Sequence, residues 1–131
     1  MKKEYRLKKN KEIEAVLNNK CYQANQYYSV YKKINNETSH FRCAISAGKK
    51  LGNAVKRNKI KRLINAVLKD LNIKLDNNVD VFIIVREKAK DLTYNEIYKQ
   101  IEYLFKRQNL LNQGENKWKI FSIDIDTNLL F

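Results

Sequence analysis

The chain has 131 residues, 44% hydrophobic and 11% aromatic, which suffices for one folded domain with a real core and is too apolar for a disordered tail. Its 27 Lys and Arg against 14 Asp and Glu give a formal charge of +13, a self-repelling balance that calls for an anionic partner: nucleic acid, an anionic membrane or an acidic protein. No stretch approaches the roughly 20 apolar residues of a membrane span, and Met1-Lys2-Lys3-Glu4 opens no signal-peptide run, so a cytoplasmic location is expected.

Residues 5–19 read as a first helix, with Tyr5, Ile13, Val16 and Leu17 near one face. Between Tyr22 and Ile34 the run Tyr27-Tyr28-Ser29-Val30-Tyr31 has the aromatic and β-branched density of a strand, and Asn35-Asn36-Glu37-Thr38 supplies a turn. Phe41 to Ala47 alternates at period two, and the two segments read together as an antiparallel hairpin. Asn53 is the expected N-cap of a second helix running to about Asp70. Its apolar stripe is Ile60, Leu63, Ile64, Val67, Leu68 and Leu71, opposite Asn58, Lys61, Arg62, Asn65 and Lys69, with Arg57 at the border. Val79 to Val85 is apolar except for Asp80, as befits a strand in the middle of a sheet. Thr93-Tyr94-Asn95-Glu96 has the form of a capping box, and the helix it opens should reach about Gln108 with Ile97, Ile101, Leu104 and Phe105 inward. The order α-β-β-α-β-α is that of an α+β, two-layer sandwich. Residues 112–131 form a C-terminal extension after a domain of residues 1–111, packing on it as an edge strand or as a docked tail.

Between Lys49 and Lys69 stand eight Lys or Arg and no Asp or Glu. A charged helix face is by default just solvated. Here, however, the block starts in a Gly-bracketed turn at a helix N-terminus, where backbone N–H groups favour an anion, and it lacks acidic i, i+4 partners. Arg57 and Arg62 offer bidentate forks, Lys49, Lys50, Lys59 and Lys61 act as point charges, and Asn58 and Asn65 add neutral hydrogen-bonding groups. No exposed Trp, Phe or Leu flanks this face, which argues against a lipid surface.

The segment Lys49-Lys50-Leu51-Gly52-Asn53-Ala54-Val55-Lys56-Arg57-Asn58-Lys59-Ile60-Lys61-Arg62 resembles the signature of the bacterial ribonuclease P protein component. Tyr5 to Asn10 is similar to that family's N-terminal Arg-Leu-Lys-Lys, and Leu92-Thr93-Tyr94 to the start of its last helix. The resemblance implies a protein subunit that binds a catalytic RNA and precursor tRNA and assists removal of the 5′ leader. The RNA carries the chemistry, Mg²⁺ is held mainly by the RNA and substrate, and the protein itself is a monomer. It also implies a mixed central sheet with a left-handed crossover. Carried over by position, Lys49, Lys50, Asn53, Arg57, Asn58, Lys59, Lys61 and Arg62 contact RNA, and Tyr28, Tyr31, Ile13 and Leu17 line a leader cleft between the sheet and the first helix. Ile13 and Leu17 stand where relatives often have Phe, Asn65 where Arg is common, and Lys59 where Arg is usual. From the residues alone, a ribosomal-type or RNA-chaperone protein is the alternative.

The remaining polar groups assemble no catalytic centre. Cys21, Cys43 and His40 fall short of a zinc ligand set and read as two reduced thiols and a turn histidine. Asp124 and Asp126 read as the solvent face of an edge strand. Tyr22, Tyr27, Tyr28 and Tyr31 are either packing residues or a stacking platform, with Tyr27 and Tyr31 on one face of the strand and Tyr28 on the other.

Overall fold

In a computed structural model that describes residues 2–112, a four-stranded mixed sheet carries three helices. The helices are α1 (Asn10–Asn18), α2 (Ala54–Asp70) and α3 (Tyr94–Arg107), and the strands are β1 (Tyr22–Ala24), β2 (Tyr28–Ile34), β3 (Arg42–Ser46) and β4 (Val79–Val85). The α+β class is as expected, but the pairing is not. The strand order is β1-β2-β4-β3, with β2 antiparallel to β1 and β4, and β3 parallel to β4. The hairpin expected between residues 22–34 and 41–47 therefore does not exist; the real hairpin is β1–β2. Alternation reports which face a side chain occupies, not which strand lies beside it. The doubly apolar β4 is best buried in the centre, and entering there it separates β2 from β3. A crossover through α2 joins the parallel neighbours β3 and β4.

The expected first helix splits into a 3-10 turn at Lys3–Tyr5 and α1. Between them Leu7 leaves helical form to donate its N–H to the Cys43 carbonyl at 2.9 Å, tying the N-terminal segment to the edge of β3. The other helices begin as read: the Asn53 side chain accepts from the Lys56 N–H, and Thr93 with Glu96 closes a reciprocal capping box. Gly52, just before the Asn53 cap, has φ +129°, a conformation that L side chains rarely adopt.

One face of the sheet is the core. Tyr28, Val30, Cys43, Val81 and Ile83 meet Ile60, Ile64, Val67 and Leu68 of α2 and Ile97, Ile101, Leu104 and Phe105 of α3. Leu63, expected on the stripe, is only partly buried at its margin. The opposite face presents Ser29 and Tyr31 of β2, Arg42, Ala44 and Ser46 of β3, and Asp80, Phe82 and Ile84 of β4. There α1 crosses β2 and β4, burying Val16 fully and Ile13 and Leu17 in part. The described chain ends at Asn112, whose N–H donates to the Asn72 carbonyl at 2.8 Å. The expected edge strand and Asp124 and Asp126 lie outside the described residues. Among the described residues, no helix is long and apolar enough to cross a membrane.

Burial separates the two cysteines. Cys21 is exposed, whereas the Cys43 thiol lies in the core, where desolvation pushes its pKa well above the ordinary thiol range. One thiol per chain is expected to react with an aromatic disulfide reagent under native conditions, and both in denaturant. Native labelling of both would contradict the burial of Cys43.

Candidate nucleic-acid interface

Two surfaces meet at the turn before α2. The first is the outward side of α2, where Asn58, Lys59, Arg62 and Lys69 are exposed beside Val55, itself 78% exposed. Lys61 and Asn65 are half-buried on its flank, lining a shallow groove with Arg6 and Lys8 of the N-terminal segment. Arg57 lies at the border of the stripe, as expected. It lies at the start of the stripe that continues through Ile60, Ile64 and Leu68, is half-buried, and has an Nε that is buried with no partner among the described residues. Its stem therefore packs as well as carrying charge, and it does not lie clear of the apolar stripe. Lys56 finds an acid outside the helix: its Nζ sits 2.7 Å from Asp91 Oδ1, which holds the Asp91 carboxyl below its usual range through that hydrogen bond and the accompanying charge.

The second surface is an open groove on the sheet face that α1 crosses. Tyr31 and Ile84 line it with Ser29 and Ser46, and its charged residues are Lys49, Lys50, Arg86 and Glu87. Tyr22 stacks on Tyr31 with ring centroids 4.9 Å apart and planes 25° from parallel, and is 51% exposed. Arg86 donates from Nη2 to Ser29 Oγ at 3.2 Å, which steers its guanidinium over the groove end of β4. Flat aromatic faces beside mobile cations suit single-stranded nucleic acid: bases stack on the rings while phosphates meet the charges.

The expected site residues distribute unevenly. Lys49 and Lys50 are exposed on the turn that borders the groove, and Asn53 follows as the α2 cap. Ile13 and Leu17 flank Val16 on α1, on the groove side of the sheet. Tyr28 does not line the groove. It points into the opposite, core face, is fully buried, and its hydroxyl pKa is raised by desolvation. Period two had placed Tyr28 and Tyr31 on opposite faces, so one strand could not offer both to the same cleft. Arg86 and Phe82 carry no local motif that marks them, although both share a face with Ile84 by the same alternation.

Fold and charge together define a small cationic α+β domain with one basic helix face and one aromatic-lined groove. The sequence profile of the ribonuclease P family matches residues 1–109. The ribonuclease P protein component of Bacillus mycoides (strain KBAB4) is 40% identical over 110 residues, spanning 84% of this chain and 96% of that protein. The corresponding protein of Bacillus cereus (strain G9842) is 38% identical over the same shares. The Staphylococcus aureus RNase P protein structure superimposes with TM-score 0.73 at 39% identity, covering 82% of this chain and 98% of that one. The Thermotoga maritima RNase P protein shares the fold with TM-score 0.69 at 22% identity, covering 78% and 96%. The chain belongs to the ribonuclease P protein component family, whose members are subunits of an endoribonuclease assembly with an RNA partner.

Proposed function

We propose that the protein binds the catalytic RNA of ribonuclease P through the outward face of α2 and receives the single-stranded 5′ leader of precursor tRNA in the groove beside α1. The observation that carries this reading is the Tyr31 ring, stacked on exposed Tyr22, in one groove with Lys49, Lys50 and Arg86. Leader bases stack on the tyrosines, phosphates meet the cations, and the Ser29 and Ser46 hydroxyls are within the same groove for sugar or phosphate oxygens. The turn of Lys49 to Gly52 joins the groove to the N-terminus of α2, so one protein holds substrate and catalytic RNA on adjoining surfaces.

The protein's part is binding and orientation, and cleavage belongs to the RNA. Mg²⁺ is assigned to the RNA and substrate because the groove lining sets three cations, Lys49, Lys50 and Arg86, against the single carboxylate of Glu87, and the carboxylates of Asp80 and Glu12 are both engaged by Arg42. When bound there, the ion supplies activation of water and charge stabilisation for phosphodiester hydrolysis. The protein acts as a monomer in the cytoplasm, where precursor tRNA is made.

The test is cleavage of precursor tRNA by a bacterial ribonuclease P RNA at low Mg²⁺, with and without the protein. Strong stimulation with leader release is expected; no stimulation by folded, RNA-binding protein would favour a ribosomal-type or chaperone role. Tyr31→Ala is expected to weaken precursor tRNA binding to the assembled holoenzyme by roughly fivefold to a hundredfold, the worth of about one stacked base, and to leave mature tRNA binding unchanged. Equal losses for both would remove the leader from the groove.

A further inference from the structure

Helix α1 crosses β2 and β4 on the sheet face that carries the groove, yet is weakly held by apolar packing. Val16 is its only fully buried residue, and it stands apart from the main core cluster. Polar contacts hold the helix at both ends. At its C-terminal end Asn19, the residue after α1, donates from Nδ2 to the Lys32 carbonyl of β2 at 3.1 Å. At its N-terminal end Glu12 accepts from Arg42 Nη2 at 2.8 Å, with the Glu12 side chain 28% exposed.

Arg42 is itself fixed from below. Its Nε and Nη2 donate to the two oxygens of Asp80 at 3.0 Å each, and Asn35 Nδ2 donates to Asp80 Oδ2 at 2.8 Å. The Arg42 side chain is 15% exposed and that of Asp80 3%. A buried carboxylate with no cation would be costly, so Asp80 and Arg42 secure each other, and the two-oxygen grip leaves the guanidinium little freedom. Arg42 then offers its outer edge to Glu12. The stack runs from β4 through β3 to α1 and sets the height of α1 above the sheet, at the ends of β3 and β4 remote from Lys49 and Lys50.

We propose that Glu12 and Arg42 are positioning residues: through the Asp80–Arg42–Glu12 stack they fix α1 at the height that admits a stacked nucleotide strand. The inference rests on the leader-groove reading.

The discriminating variant is Glu12→Ala, which frees α1 but leaves the buried Arg42–Asp80 pair intact. Expected are increased amide hydrogen exchange confined to α1, unchanged exchange in β4, and a loss of about threefold to fivefold in precursor tRNA affinity of the holoenzyme. Affinity for mature tRNA and for the catalytic RNA should not move. Glu12→Gln, which keeps the length and one acceptor for Arg42, should restore most of the lost affinity. Exchange that rises throughout the domain, with equal losses for all RNAs, would mean that Glu12 only stabilises the fold and would overturn the proposal. Unchanged precursor tRNA binding in Glu12→Ala, alongside a loss in Tyr31→Ala, would overturn positioning while sparing the groove. Unchanged binding in both would bring down the groove reading and this inference with it.

Discussion

Replacing Lys59, Lys61 and Arg62 together by Gln is expected to weaken binding of ribonuclease P RNA by roughly 10²–10³-fold near 0.1 M monovalent salt. Each neutralised phosphate releases condensed counterions, worth up to about 0.9 log unit of affinity per tenfold change in salt. Three lost contacts therefore remove about two to three units from the log–log salt slope, and the loss in affinity shrinks as salt approaches about 1 M. Lys59 and Arg62 are exposed and Lys61 is half-buried, so stability should change little, as for surface substitutions generally. Arg57 is deliberately spared: its buried Nε and its place on the apolar stripe mean that truncation would mix packing with charge. The measurement is a filter-binding or fluorescence titration across a salt series. An unchanged slope would take the outward face of α2 out of the RNA interface.

The basic face of α2 was legible because its signals are local. The stripe from Ile60 to Leu68, the Asn53 cap and the run of cations without acids are properties of one helix, and helical periodicity assigns each residue to a side. The Thr93–Glu96 box is local in the same sense. The groove was less legible because it is made by topology: β1, β2, β3 and β4 lie side by side in an order that no local pattern encodes. Tyr31 could be placed on a face but not against Tyr22, since their pairing depends on the β1–β2 hairpin, and three residues of β1 give too short an alternation to read. Tyr28 differs: the resemblance assigns it to the cleft, whereas the strand's own period sets it on the opposite, core face. Arg42 was hidden because its two partners lie 30 and 38 residues away in sequence, on different elements.

Phe105→Ala is expected to lower stability by about 3–5 kcal/mol, and the melting temperature by roughly 15–30 °C, as full truncation of a buried aromatic does in a domain of this size. Phe105 is fully buried on α3 with its ring 6.5 Å from that of Phe41, so the cavity would open where α3, the sheet and the β2–β3 connection converge. Against the roughly 5–15 kcal/mol that holds a typical domain together, such a loss leaves a substantial unfolded fraction on mild heating. Ligand binding to the folded state alone restores stability by mass action, so ribonuclease P RNA should raise the melting temperature of the variant. Its RNA affinity should fall only by the fraction unfolded, with the salt slope unaltered, because every phosphate-facing cation is still present. Urea titration gives the stability and the salt series gives the slope. A loss below about 1 kcal/mol would mean that α3 does not pack through Phe105. A changed slope would mean that core and interface are coupled through the position of α2, whose Ile60, Ile64, Val67 and Leu68 share the core cluster with Phe105.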